Sequence, residues 1–141
     1  MEFFEMTAPM TTSEAREQAF ILMFEKSFNG DMEPEEILAF AVESEVITEH
    51  KYTSELFFET CRNVEVIDEF ISKYSRGWSI PRLSKVALAV LRIAICEIRF
   101  FEKVPTGVAI NEAVNICKKY ASAEDCSFVN GVLGSFAKDE A

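Results

Sequence analysis

Glu97 is the first residue whose type and setting could do chemistry. It stands in the stretch RLSKVALAVLRIAICEIRFF (82–101), among Val86, Val90, Ile93 and Phe101 at helical spacing. A carboxylate in such company takes a hydrogen-bond or charge partner, or else its proton affinity rises toward that of a general acid. No second acid, histidine or nucleophile follows at a spacing that would complete a catalytic site, so a satisfied structural carboxylate is the better reading. Lys85, Arg92 and Arg99 fall seven residues apart on the same stretch and form a basic line. An unpaired charge on so apolar a helix is costly, so Arg92 or Arg99 is expected to meet a carboxylate, with Glu112 the leading candidate. The four cysteines (Cys61, Cys96, Cys117, Cys126) form no C-x-x-C pair, and three lie in apolar-periodic segments. Buried reduced thiols therefore fit better than a zinc site or disulfides, and a reducing cytoplasmic compartment follows. Nothing calls for a metal or a cofactor.

The elements that must position these groups read as helices. Residues 82–101 are apolar nearly all the way round and should be the buried centre of the fold. Before them, residues 14–28 place Ala15, Ala19, Leu22 and Met23 on one face, with Thr11 and Glu14 spaced as a capping box or Ser13 as N-cap. Arg16 projects with Phe20 and Met23, which suits a paired structural arginine better than a free phosphate contact. Pro34 opens an acidic helix to about residue 46, and residues 49–74 keep a three-four spacing as one long helix or as two with a break near Asn63. Trp78 and Pro81 are expected to pack against the start of the central helix. After Pro105 a helix capped by Thr106 runs to about residue 120, with Lys118 and Lys119 on its polar side. Ser122 or Asp125 caps the last helix, and Gly131 and Gly134 within it suggest close approach of another backbone or a partner. No segment alternates with period two.

At 141 residues the chain is the size of one domain. Residues 1–10 read as an N-terminal extension with Met10 as an alternative start, and residues 11–141 as a single helical domain. No uncharged run approaches the roughly 20 residues of a membrane span, so no membrane is expected. The net charge of −10 argues against non-specific nucleic-acid binding, but it is unevenly spread. Residues 1–72 hold 4 basic and 17 acidic side chains, whereas residues 73–141 hold 10 basic and 7 acidic, so an anionic partner should meet the C-terminal half.

Four segments carry a family resemblance: AREQAF at 15–20, VLRIAICEI at 90–98, VPTGVAINEAV at 104–114 and FVNGVLG at 128–134. In this order and spacing they resemble the NusB family of transcription antitermination factors, and the likeness covers essentially everything from Met10 onward. It implies an all-α fold, a compact bundle of about seven helices in two packed halves, without catalytic activity or cofactor. It also implies assembly as the function. Proteins of this kind bind the small-subunit ribosomal protein that doubles as NusE. The pair holds boxA-type RNA within the RNA polymerase antitermination complex of ribosomal RNA operons. A same-fold protein-interaction module with weakened or lost RNA binding is the alternative, and a homodimer stays open. A free-standing methyltransferase, which can share this helical fold, is not expected because no Gly-rich cofactor loop is present.

The resemblance implies RNA contacts from Arg16, Lys118, Lys119, Asp125, Phe128 and Asn130, and a partner surface with Phe24, Arg82, Lys85 and Ala87. Phe128 could stack a base, although its spacing also fits the apolar stripe of the last helix. Asn130 could reach a base edge or a phosphate, or serve helix packing. Where many members carry an arginine-rich start, this chain has Thr11, Thr12, Ser13 and Glu14, leaving Arg16 alone. Ser127 replaces a basic residue before FVNG, and Ala87-Leu88 stand where an acidic-basic pair is common. These departures imply weak RNA binding by the chain alone and leave the fold intact.

Overall fold

Most of the helices begin where a local group can satisfy free N–H donors. In the computed structural model, which describes residues 9–141, the Glu14 N–H donates to Thr11 Oγ1 (3.1 Å) and the Thr11 N–H donates to Glu14 Oε1 (2.8 Å), closing the expected capping box of α1 (Thr12–Phe28). Pro34 opens α2 (Pro34–Glu43), and the Tyr52 N–H donates to His50 Nδ1 at 3.1 Å to start α3 (Lys51–Arg62). Asn63 ends α3 and begins α4 (Val64–Tyr74), so the 49–74 stretch is two helices. A single 3₁₀ turn, Ile80–Arg82, precedes α5 (Lys85–Phe100), followed by α6 (Thr106–Tyr120) and α7 (Ala123–Glu140). Ser84 and Ser122 cap α5 and α7, while α6 is preceded by Pro105, with Thr106 inside the helix rather than capping it.

The described residues form an all-α bundle of seven helices with α5 at its centre, packed against α1, α3, α4, α6 and α7. From Ala87 to Glu97 every residue of α5 is buried except Arg92. Side chains all round one helix can be buried only if neighbours cover every face, and five helices do so. The expected extension falls outside the described residues apart from Pro9 and Met10; the Met10 thioether accepts from Gln18 Nε2 at 3.3 Å.

Glu97 is fully buried, and its charge is answered from two other helices. Arg16 Nε of α1 donates to both carboxylate oxygens (2.7 and 2.8 Å), and the Tyr52 hydroxyl of α3 donates to Oε2. Arg16 Nη1 reaches on to Glu112 of α6 at 2.8 Å. Burial alone would lower the Arg16 pKa, but the hydrogen bond and charge of Glu97 outweigh it and hold the guanidinium above its ordinary value. Burial and the bond to Glu97 push the Tyr52 phenol up, so it stays a donor.

Several expectations are corrected here. Arg92 meets a carboxylate, but it is Asp68 of α4, through a two-pronged contact (Nε–Oδ1 2.9 Å, Nη2–Oδ2 2.7 Å), because Glu112 is taken by Arg16. Trp78 is 51 % exposed and Pro81 is exposed, so neither is packed away under α5. A Cβ added at Gly131 or Gly134 would meet nothing within 4 Å, so no backbone approaches them. All four thiols are free, and burial pushes Cys61 up to about 11 and Cys96 and Cys117 up to about 12.

Glu97→Ala would leave Arg16 buried with Glu112 alone, and its expected cost in urea unfolding is about 3–5 kcal/mol. Arg92→Ala breaks a pair that keeps an edge in water and should cost about 1–2 kcal/mol. Equal losses for the two variants would contradict this ranking.

Candidate nucleic-acid and partner interface

The sequence-predicted residues fall into three places. Arg16 is 4 % exposed with its guanidinium spent on Glu97 and Glu112, and Ala87 is 1 % exposed, so neither reaches the surface. Both are withdrawn as contact residues: the arginine is needed to neutralise Glu97, and the alanine lies where α5 meets its neighbours.

The second place is the start of α7. Ser122 Oγ accepts from the Asp125 N–H at 3.1 Å, which turns Asp125 back toward α5, where its Oδ2 accepts from Ser84 Oγ at 3.0 Å. Ser84 also accepts from the Ala87 N–H at 3.0 Å, so one hydroxyl joins the N-termini of α5 and α7. One turn further on, Phe128 is half-buried and lines a cleft of about 220 Å³ with Ser127, Gly131, Tyr74, Arg76 and Trp78. Asn130 is exposed on α7, and Lys118 is exposed at the end of α6.

Arg76 and Trp78, which line this cleft, are not among the sequence-predicted site residues. Arg76 (φ 52) and Gly77 (φ 91) both take the left-handed region, a sharp reversal that swings Trp78 outward. Ser75 holds the turn: its hydroxyl donates to the Trp78 carbonyl at 2.7 Å, and its carbonyl accepts from the Trp78 N–H at 3.2 Å. The Arg82 guanidinium lies 5.3 Å from the Trp78 ring centroid. The signal was the interleaved Arg76-Gly77-Trp78, a basic and an aromatic residue around a glycine turn, which hydropathy periodicity reads only as a helix end.

The third place is an aromatic row along α1. Tyr120 meets Phe20 (centroids 5.0 Å apart), Phe20 meets Phe24 (6.2 Å) and Phe24 meets Phe28 (5.0 Å). Lys85 Nζ stands 5.1 Å over the exposed Phe28 ring. Thus Lys85 and Phe24 belong together, while Arg82 turns to the Trp78 cleft instead. At the other end of the row Lys119 donates to Glu17 Oε2 at 2.7 Å, and the Tyr120 hydroxyl donates to the same oxygen.

A model described as the NusB family matches residues 13–138. The chain belongs to the NusB family. Its relatives include the transcription antitermination protein NusB of Natranaerobius thermophilus, 41 % identical over 132 residues that span 91 % of this chain and 95 % of the relative. The NusB of Lachnoclostridium phytofermentans is 40 % identical, spanning 88 % and 96 %. Among solved structures, T. maritima NusB superposes with a TM-score of 0.83 at 33 % identity over 95 % of each chain. A crystal structure of antitermination factors NusB and NusE in complex with dsRNA gives 0.80 at 31 % identity, covering 89 % of this chain and 95 % of that one. The fold of this NusB-family chain is accordingly NusB-like, and it is a non-catalytic transcription antitermination factor. No helix among its described residues is long and apolar enough to cross a membrane.

Partial burial raises the Glu17 carboxyl, but the bonds from Lys119 and Tyr120 outweigh this and hold it below its ordinary 4.5. A depressed folded pKa contributes stability above the unfolded value, and that contribution disappears as pH falls through the folded one. Unfolding of the parent chain and Glu17→Gln at stepped pH should show a small parent advantage at neutral pH that declines as pH falls below the ordinary 4.5 and is gone once the lowered folded value is passed. Gly134→Ala, on an open helix surface, should add about 0.5–1 kcal/mol of stability in the same unfolding measurement.

Proposed function

We propose that this protein holds boxA-type RNA jointly with a NusE-like small-subunit ribosomal protein, as part of the RNA polymerase antitermination complex acting on ribosomal RNA in the cytoplasm. The observation that carries the reading is the cleft lined by Phe128, Trp78 and Arg76, with the Arg82 guanidinium against the Trp78 ring. Aromatic faces beside guanidinium groups suit single-stranded RNA, since bases stack on the rings for about 1–3 kcal/mol each and the cations take phosphates. Asn130 and Lys118 extend this surface along α7 and α6. Lys119 joins it by leaving Glu17. Phe128 is partly buried against the core and also lines the cleft, which is compatible with base stacking.

The ribosomal protein takes the aromatic row of α1, with Phe24 and Phe28 as anchors and Lys85 at the edge. Support comes from the relative solved with NusE and dsRNA, and from the exposed Phe28 and Tyr120 rings at the two ends of the row. Few cations surround the cleft, and Arg16 is not among them, so the lone protein binds RNA weakly. Ser84 and Asp125 lie between the two surfaces, which makes mutual strengthening of the two partners the expected behaviour.

The test is a titration of boxA RNA at about 0.1 M salt, with and without the ribosomal protein. Weak binding that tightens at least about tenfold with the partner is expected, and Trp78→Ala or Lys118→Ala/Lys119→Ala should weaken the ternary complex, the lysine pair also flattening its salt slope. Sub-micromolar binding by the lone protein, unchanged by the partner, would overturn the joint reading. Partner binding with no RNA contribution would leave the interaction module instead, favoured by the engaged Arg16 and by Ser127 in place of a basic residue.

A further inference from the structure

Helix α2 carries a surface that the antitermination reading leaves unused. Between residues 27 and 49 the chain has seven acidic side chains and no lysine or arginine. None of the seven enters the ion pairs found among the described residues. On this helix Phe40 is 63 % exposed, and beyond its end Val46 is 51 % exposed. The two border a cleft of about 250 Å³ between the end of α1 and α2, floored by Ile37 and Ala41 and closed by Met32. The left-handed turn at Glu45 (φ 60) brings Val46 back beside α2, its N–H donating to the Ala41 carbonyl at 2.9 Å.

Every charge placed at this cleft is negative. Glu25 lines it from α1, and Glu36 and Glu43 flank Phe40 at helical spacings of four and three on the exposed face of α2. Lys26, the nearest cation along the chain, is turned to the Gly30 carbonyl at 2.8 Å. A single exposed phenylalanine is ordinary, but one beside a formed apolar cleft inside a field of one sign is a recognition surface. That field repels RNA phosphate and anionic lipid and attracts a polycation.

We propose that this cleft docks a basic protein segment, which seats one leucine- or phenylalanine-sized side chain between Phe40 and Val46 and sets lysine or arginine side chains against Glu25, Glu36 and Glu43. The apolar anchor supplies affinity, and the acids select the partner and speed its arrival. The site shares no lining residue with the aromatic row or with the Trp78 cleft.

The test is an NMR titration of the isotope-labelled full chain with a synthetic peptide of lysines and arginines around one central leucine. Shifts should concentrate at Met32, Ile37, Phe40 and Val46, and raising salt from about 0.05 to about 0.3 M should weaken binding. Affinity should fall about tenfold or more when the peptide leucine becomes alanine, or when the protein carries Phe40→Ser or Glu36→Lys/Glu43→Lys. Phe40 and Glu43 are exposed and outside the α2 cap, so Phe40→Ser and Glu43→Lys should keep the parent's melting temperature, whereas Glu36→Lys gives up the bond from the Glu33 N–H (3.0 Å) and should lower it; Glu43→Lys alone tests the site even if Phe40→Ser does not fold. Any of four results would overturn the proposal: equal binding of the alanine peptide, shifts confined to other surfaces, no binding at millimolar peptide, or a self-association that Phe40→Ser abolishes. The same variants should bind the NusE-like protein and RNA as the parent does. Loss of that binding would show that the α2 face is part of the assembly surface and not a second site.

Discussion

The bundle depends on one buried ion pair. Glu97 sits on a helix with no solvent-facing side along most of its length, so its charge must be answered by the neighbours or not exist. Arg16 and Tyr52 answer it from α1 and α3, and Glu112 on α6 takes the guanidinium donor that remains. Four helices thereby converge on one point with fixed geometry. A hydrophobic contact tolerates sliding by an ångström, whereas this network leaves an unpaired buried charge if any helix shifts register. Arg92 and Asp68 repeat the device between α5 and α4 at a wetter site, where less depends on it.

Spending Arg16 in the interior shapes the surface. The N-terminal half loses one of its few cations to the core and is left with an acidic exterior, most sharply on α2. Most of the accessible positive charge lies in the second half, on the turn before α5 and at the ends of α5 and α6, with Lys51 and Arg62 exposed in the first half. A negative flank turns phosphate away from α2 and leaves the Trp78 cleft as the approach of lower electrostatic cost.

The proposed RNA cleft and the proposed partner surface are mechanically close. Ser84 caps α5 immediately before Lys85, whose ammonium covers Phe28, and the same hydroxyl donates to Asp125, one turn ahead of Phe128. A shift of the α5 start on docking a protein against Phe28 would be felt at the α7 start. In a bundle whose centre is locked by buried charge, helix termini are the parts left to move.

Residues 49–74 read equally as one helix or as two, and the fold decided for the break at Asn63, whereas helix type, the burial of the central helix and the need of Glu97 for a partner were legible in the sequence. Each follows from local spacing or from the solvation cost of one group, quantities a sequence carries directly. The family was legible too, because AREQAF, VLRIAICEI, INEAV and FVNGVLG encode packing contacts in fixed order. Which charge answers which was decided only by the fold. Arg16, Arg92 and Glu112 are chemically able to pair in several ways, and the choice rests on which helix faces meet across 24 to 96 residues of chain. The same holds for Trp78, expected from the sequence to pack against the start of the central helix but left 51 % exposed after two left-handed residues at Arg76 and Gly77. Side-chain periodicity records how much of a helix is buried, while the direction of a turn and the identity of a distant partner are properties of the assembled bundle.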